Sequence, residues 1–115
     1  MTTTFDERER AAERRFVQQE EARFHARNWR NRLLATWACE RMRLTGTAAE
    51  GYVTSFAEGA VVTDDDTLIA RLQTDLKAAG IEATVDRLST EMTRCAALAR
   101  AERRVGVALD QGSSG

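Results

Sequence analysis

A chain of 115 residues that contains no proline, and in which 43% of the residues are hydrophobic, fits one domain with one modest core. Seventeen basic and eighteen acidic groups nearly cancel, which argues against a nucleic-acid partner. No stretch approaches the roughly 18 apolar residues of a membrane span, and the start lacks the apolar run of a signal peptide. We therefore expect a cytoplasmic protein that does not insert directly into a membrane.

The first predicted element is a long helix. Thr4 and Glu7 have the spacing of a capping box, no helix breaker follows before Leu44, and Gly46 is the expected stop. A pattern of about forty residues is unusually long for a helix of a globular protein. Its second half, roughly residues 20–44, carries an apolar stripe that should pack in the core: Leu33, Leu34, Trp37, Ala38 and Leu44.

The first half of this helix differs, because it is charged nearly all round. Only Phe5, Ala12 and Phe16 make an apolar line at helical spacing. Three such residues are too few to anchor a helix, and an isolated helix of this length is marginal in water. We expect residues 1–19 to form a mobile N-terminal arm that is disordered or frayed in the free protein.

Three shorter elements follow. A second capping box, Thr47 with Glu50, predicts a helix that ends near Gly59. The third helix should begin at the three aspartates 64–66, and Thr84 should cap the fourth. The apolar positions expected in the core are Ala48, Tyr52, Val53, Phe56, Leu68, Ile69, Leu72, Leu76, Val85, Leu88, Met92, Cys95, Ala96 and Ala99.

Together these elements predict an all-α protein, a four-helix bundle with a long first helix. The bundle should span residues 20–109. The last residues, 110–115, have the composition of a linker and should form a disordered tail.

No group of residues in the sequence has the pattern of a catalytic or metal site. The three aspartates lack the spacing of a calcium loop, so they are interpreted as helix-capping residues with a divalent-ion site as the alternative. His25 is the only histidine and is expected on a helix surface. Cys39 and Cys95 are expected to be free buried thiols. Trp29 lies off the apolar stripe, and it either covers the end of the bundle or is an exposed contact for a partner.

Several blocks of the sequence resemble a known family, and the match covers about residues 1 to 100. It is carried by residues 5–11 with Glu13 and Phe16, by residues 20–24 and 30–34, and by Trp37-Ala38 and Thr45-Gly46. Further matching positions are Tyr52, Asp65-Asp66, Asp75-Leu76, Ala79-Gly80 and Met92. The chain resembles the zeta-type inhibitor subunit of the F-type ATPases of alphaproteobacteria.

This resemblance implies a non-enzymatic protein that binds the catalytic head of the ATP synthase and blocks ATP hydrolysis. The arm would enter a catalytic subunit interface as a helix, in contact with the α, β and γ subunits, and the free protein is expected to be a monomer. The arm residues implied to bind are Phe5, Asp6, Glu7, Arg8, Glu9, Arg10, Ala12, Glu13, Arg15 and Phe16.

No cofactor is expected, although weak nucleotide binding between the helices is left open. The alternative function is a helical adaptor or ligand-binding bundle with a different protein partner.

Overall fold

The fold consists of four α-helices in the part of the chain that the structure describes, which is the backbone of residues 3–113 and the side chains of residues 4–102. In this computed structural model α1 spans Thr3–Met42, α2 Gly46–Ala60, α3 Asp65–Ala78 and α4 Val85–Ser113, and residues 3–113 contain no strand. The prediction of an all-α four-helix bundle is therefore confirmed. A helix of 40 residues is about 60 Å long at 1.5 Å per residue, which accounts for most of the 68 Å length of the molecule.

The core is made by the second half of α1 together with the other three helices. On α1 the described buried residues begin only at Asn31. The bundle core then contains Leu34, Ala35, Ala38, Phe56, Ala60, Leu68, Ile69, Leu72, Leu76, Leu88, Met92 and Cys95. Each fully buried leucine contributes about 1.5–3 kcal/mol relative to an exposed one. The free energy of folding thus comes from residues beyond the arm.

Two predicted core residues are exposed, and two others, Leu44 and Ala96, are half-buried outside the core cluster. Ala48 is exposed, and Val85 is 52% exposed. Both stand in the first turn of their helices. Asn31, in contrast, is 2% exposed, and its side-chain oxygen accepts a hydrogen bond of 3.0 Å from Arg30 Nε.

The end of α1 is formed by Arg43 and not by the predicted Gly46. Arg43 has a φ of 59°, in the left-handed region. Its N–H donates to the carbonyl of Glu40 at 3.3 Å, and the N–H of Leu44 donates to that of Cys39 at 2.9 Å. These two bonds define a Schellman motif, in which the left-handed residue is usually glycine.

The predicted capping boxes at the starts of α1 and α2 are wrong. α1 already includes Thr3, so Thr4 is not its N-cap. In α2 the N-cap is Thr45, which makes no side-chain capping hydrogen bond. Thr47 lies inside α2.

The predicted starts of α3 and α4 and the predicted end of α3 are confirmed. The Asp64 side chain accepts from the N–H of Thr67 at 2.8 Å, and the Thr84 hydroxyl accepts from the N–H of Arg87 at 3.1 Å. α3 ends in a second Schellman motif, with Gly80 in the left-handed position at φ 83°. Its two bonds run from Gly80 to Lys77 and from Ile81 to Leu76, both at 2.9 Å, and Ile81 packs against the core.

The backbone of α4 continues to Ser113, beyond the end expected near Leu109. Residues 114 and 115 of the predicted tail, and residues 1 and 2 of the arm, lie outside the described residues. The division into arm, bundle and tail stays a prediction.

Candidate functional site: the N-terminal arm and its base

The arm is the first part of α1, and it is helical from Thr3 onward. Every described side chain from Thr4 to Gln19 is exposed except the half-buried Ala11. All ten predicted binding residues of the arm therefore face solvent. Whether the arm frays in the free protein stays a prediction.

Phe5 and Phe16 are the two large apolar side chains of the predicted line, and they are 71% and 63% exposed. With 3.6 residues per turn, Phe5, Ala12 and Phe16 fall within an arc of about 40° on one side of the helix. The two rings are about 16 Å apart along the axis. The arm thus presents one narrow apolar line between charged flanks.

Few contacts hold the arm in place. Among the residues whose side chains are described, the one hydrogen bond made by a side chain of residues 4–19 is from Arg14 Nε to the carbonyl of Arg10, at 3.4 Å, within the same helix. The arm is therefore available to a partner without breaking packing in the bundle.

A second group of exposed apolar side chains lies where the arm meets the bundle. Phe24 is 54% exposed on α1, and Val61 and Val62, which follow α2, are 55% and 90% exposed. Phe24 and Val61 line the same small crevice between α1 and the end of α2. The sequence analysis did not assign these residues to a site, because Val61 and Val62 fall between the predicted end of α2 near Gly59 and the start of α3 at the aspartates 64–66. The signal that was missed is a pair of bulky apolar residues in a loop.

The loop between α2 and α3 is fixed to α1 by two arginines. Arg30 Nη2 lies 2.8 Å from Asp65 Oδ1, and Arg27 Nη2 donates to the carbonyl of Thr63 at 2.6 Å. Arg27 also approaches Asp65, at 3.4 Å. The hydrogen bond from Arg30 lowers the pKa of the Asp65 carboxyl below its ordinary value. Asp65 is therefore part of an ion pair that holds the fold.

The other two aspartates do not join Asp65 in a cluster of ligands. Asp64 caps α3, and its hydrogen bonds with Thr67 lower its pKa. Within residues 4–102, no group of three or more acidic, histidine or cysteine side chains is placed to hold a metal ion. The capping interpretation of the aspartates is confirmed at Asp64.

Trp29 is both partly exposed and bonded to α4, and a contact with a partner stays a prediction. Its ring is 45% exposed, and its Nε1–H donates to the carboxylate of Glu102 on α4. The indole therefore links α1 to α4 while leaving part of its surface to solvent. His25, on the same stretch of α1, is exposed, as predicted.

The two cysteines are buried and free. Burial is the main cause of the raised pKa of both thiols, which keeps them in the unreactive protonated form.

No helix among the described residues combines the length and the apolar character needed to cross a membrane.

Comparisons with known proteins point to one family. The family model described as ATPase inhibitor subunit zeta matches residues 1–102. Searches of curated proteins and of solved structures gave no match. The matched range includes the arm, its base and most of the bundle, and the family is one of regulatory, non-catalytic proteins. The chain therefore belongs to the ATPase inhibitor subunit zeta family.

Proposed function

We propose that this protein blocks ATP hydrolysis by an F-type ATP synthase, by inserting residues 1–19 as a helix at a catalytic subunit interface. Its partners are then the α, β and γ subunits of the catalytic head. The protein lies in the cytoplasm, attached to the membrane-bound enzyme through that head. The single observation that carries the proposal is the exposure of Phe5 and Phe16, 71% and 63%, on a helix that no described side chain of the bundle covers.

The dimensions of the arm suit this role. Residues 4–19 form a rod about 24 Å long, long enough to enter a cleft between two subunits. In such a cleft the two phenylalanines lose their contact with water, which favours binding by about 1.5–3 kcal/mol for each ring that becomes fully buried. A rod that obstructs rotation needs no nucleophile, base or metal.

Because the arm does not pack on the bundle, no contact with the bundle has to be broken before insertion. A segment that was folded onto the bundle would have to be detached first, which would reduce the apparent affinity. Here the arm is presented as an extension of a helix that is fixed in the core from Asn31 onward. The part of the chain that binds is thereby separated from the part that folds.

The test measures ATP hydrolysis by the purified cognate ATPase in the presence of the wild type, a truncated protein, a variant of the arm or a control variant of the bundle. Deletion of residues 1–19 should abolish inhibition and leave the helical circular dichroism of the bundle and its cooperative unfolding in place. The double variant Phe5→Ser, Phe16→Ser should inhibit at least ten-fold less, as expected for loss of hot-spot side chains.

The matched control is Val85→Ser, which removes an exposed apolar side chain, 52% exposed, from the bundle. Val85 lies about 25 Å along α4 from Glu102, the residue that contacts Trp29, and is therefore far from the arm. Inhibition that survives the truncation would refute the mechanism. Copurification of a different protein, without α and β ATPase subunits, would favour the adaptor function instead.

A further inference from the structure

We propose that Arg27, Trp29 and Arg30 of α1, through their bonds to the start of α3 and to α4, form a collar that sets the direction in which the arm leaves the bundle. The collar and its partners Asp65 and Glu102 are positioning residues, which act on the ATPase only through the arm. This inference rests on the proposed function, because the direction of the arm matters only if the arm is the part that inserts.

The side-chain bonds from α1 to the rest of the fold are concentrated in one turn. In the part of the chain whose side chains are described, α1 donates to another element from Arg27, Trp29, Arg30 and Cys39. Three of these four donors thus lie within four consecutive residues. The described buried residues of α1 begin directly after them, at Asn31. The collar therefore stands where α1 passes out of the core toward the arm.

The attachment to the start of α3 is a bidentate bond. Arg30 Nη1 donates to Asp65 Oδ2 at 3.1 Å, and Nη2 donates to Oδ1 at 2.8 Å. Paired bonds of this kind fix orientation as well as distance. The same guanidinium also donates to Asn31 Oδ1, and the Arg30 side chain is only 12% exposed. Because Arg27 adds a bond of 2.6 Å to the carbonyl of Thr63, this side of α1 has little freedom to tilt.

The attachment to α4 lies on a different side of α1. At 3.6 residues per turn, Trp29 is rotated about 100° around the helix axis from Arg30 and about 160° from Arg27. The indole N–H of Trp29 donates to the carboxylate of Glu102, and both residues line one crevice with Ala99 of α4. A helix that is held on two such different sides is restricted from tilting in two planes.

The length of the arm makes this restriction important for inhibition. In a straight helix Phe5 lies about 36 Å along the axis from Trp29, so a tilt of about 10° at the collar displaces Phe5 sideways by about 6 Å. That displacement exceeds the roughly 4 Å over which apolar side chains remain in contact. Without the collar the arm samples many directions, few of which lead into the cleft, and the apparent affinity falls by that fraction. A frayed arm keeps this dependence, because the collar still fixes the direction of the turns from which it starts.

The experiment compares full-length variants in which one attachment is broken, Glu102→Ala and Asp65→Ala, each with a matched control. Glu50→Ala is the control for the first, because it also removes an exposed carboxylate from a helix. Asp75→Ala is the control for the second, because it removes the carboxylate that accepts a bond of 2.8 Å from Tyr52 and so links α2 to α3 without a bond to α1. Urea unfolding of all four variants measures their stability.

The direction of α1 and the strength of inhibition are then measured separately. Residual dipolar couplings of the backbone amides of residues 20–26, between the arm and the collar, report the direction of α1 relative to the bundle. In Glu102→Ala and Asp65→Ala these couplings should shrink toward those of a mobile segment. The concentration for half-maximal inhibition of ATP hydrolysis should rise about three- to ten-fold above that of the matched control. Both controls should keep the wild-type couplings and inhibition, even where stability falls.

Two further variants separate positioning from direct contact of the collar with the enzyme. Glu102→Gln keeps an acceptor oxygen for the indole N–H and should inhibit like the wild type. Trp29→Phe loses the donor, and its combination with Glu102→Ala should inhibit no more weakly than either single variant, because the same bond is lost in all three. Losses that add in the double variant would indicate two separate contacts with the enzyme and would overturn the inference.

The inference and the proposed function fail in different ways. Unchanged couplings in both Glu102→Ala and Asp65→Ala, or changed couplings with unchanged inhibition, would overturn the collar and leave the proposed function standing. Inhibition by a protein that lacks residues 1–19 would instead overturn the proposed function, whatever the couplings show.

Discussion

The two Schellman motifs offer a paired test of the fold, because one has arginine and the other glycine in the same left-handed position. Arg43 has a φ of 59° and Gly80 a φ of 83°. A Cβ added at Gly80 would meet no atom within 4 Å, and Arg43 is exposed. The substitutions Arg43→Gly and Gly80→Ala therefore change backbone conformational energy with little change in packing.

The expected magnitude follows from two opposing terms. A residue with a Cβ in the left-handed region costs about 1–2 kcal/mol, whereas glycine loses about 0.5–1 kcal/mol more conformational entropy on folding. The difference, about 0.5–1 kcal/mol, should appear with opposite signs at the two sites. Arg43→Gly should raise the free energy of unfolding by that amount, and Gly80→Ala should lower it by a similar amount.

Urea denaturation followed by circular dichroism would measure both changes, with thermal unfolding as the second assay. For a domain of this size 1 kcal/mol corresponds to roughly 4 °C in the midpoint of unfolding. The double variant should be close to the wild type, since the two effects are of similar size and opposite sign and the two turns share no backbone hydrogen bond. A neutral or destabilising Arg43→Gly, beside a destabilising Gly80→Ala, would refute the reasoning for the end of α1.

Three further predictions concern stability and inhibition. Gly51 lies inside α2 and a Cβ there would meet no atom within 4 Å, so Gly51→Ala should raise the free energy of unfolding by about 1 kcal/mol in the same urea assay. Arg30 lowers the pKa of Asp65, so this ion pair stabilises the fold above the ordinary carboxyl pKa of about 3.9 and is lost as the pH falls further. Asp65→Asn should therefore lower stability at pH 7, with a smaller difference from the wild type at pH 3; an equal difference at both pH values would contradict this. Ala12→Leu should widen the apolar line of the arm and lower the concentration for half-maximal inhibition, whereas an unchanged value would place position 12 outside the contact.

The order of the helices, the core stripe and two of the caps could be predicted because each depends on residues close together in the sequence. Asp64 and Thr84 cap their helices through N–H groups three residues away. Arg43 was missed because an arginine gives no sign that it will adopt a left-handed conformation. Ala48 and Val85 were placed in the core because periodicity identifies a side of a helix but does not say how far along the helix that side is buried.

The candidate site was only half predictable for a related reason. The arm could be recognised because it is charged and poor in apolar residues over a continuous stretch. The crevice at the base of the arm combines Phe24 with Val61, which follows α2, and nothing local in the sequence connects them. Their proximity results from the packing of α2 on α1 and from the bonds of Arg27 and Arg30 to the loop before α3.

Because the described buried residues of α1 begin only at Asn31, substitutions at positions 4–19 are nearly free of folding constraints. Selection on those positions then acts through the partner alone, whereas positions from 31 onward must also preserve the core. The two ends of a single helix should consequently diverge at different rates among related organisms. Arm positions should change together with the cleft of the cognate enzyme. A protein that carries the arm of another species should therefore fold normally but inhibit its own enzyme less strongly.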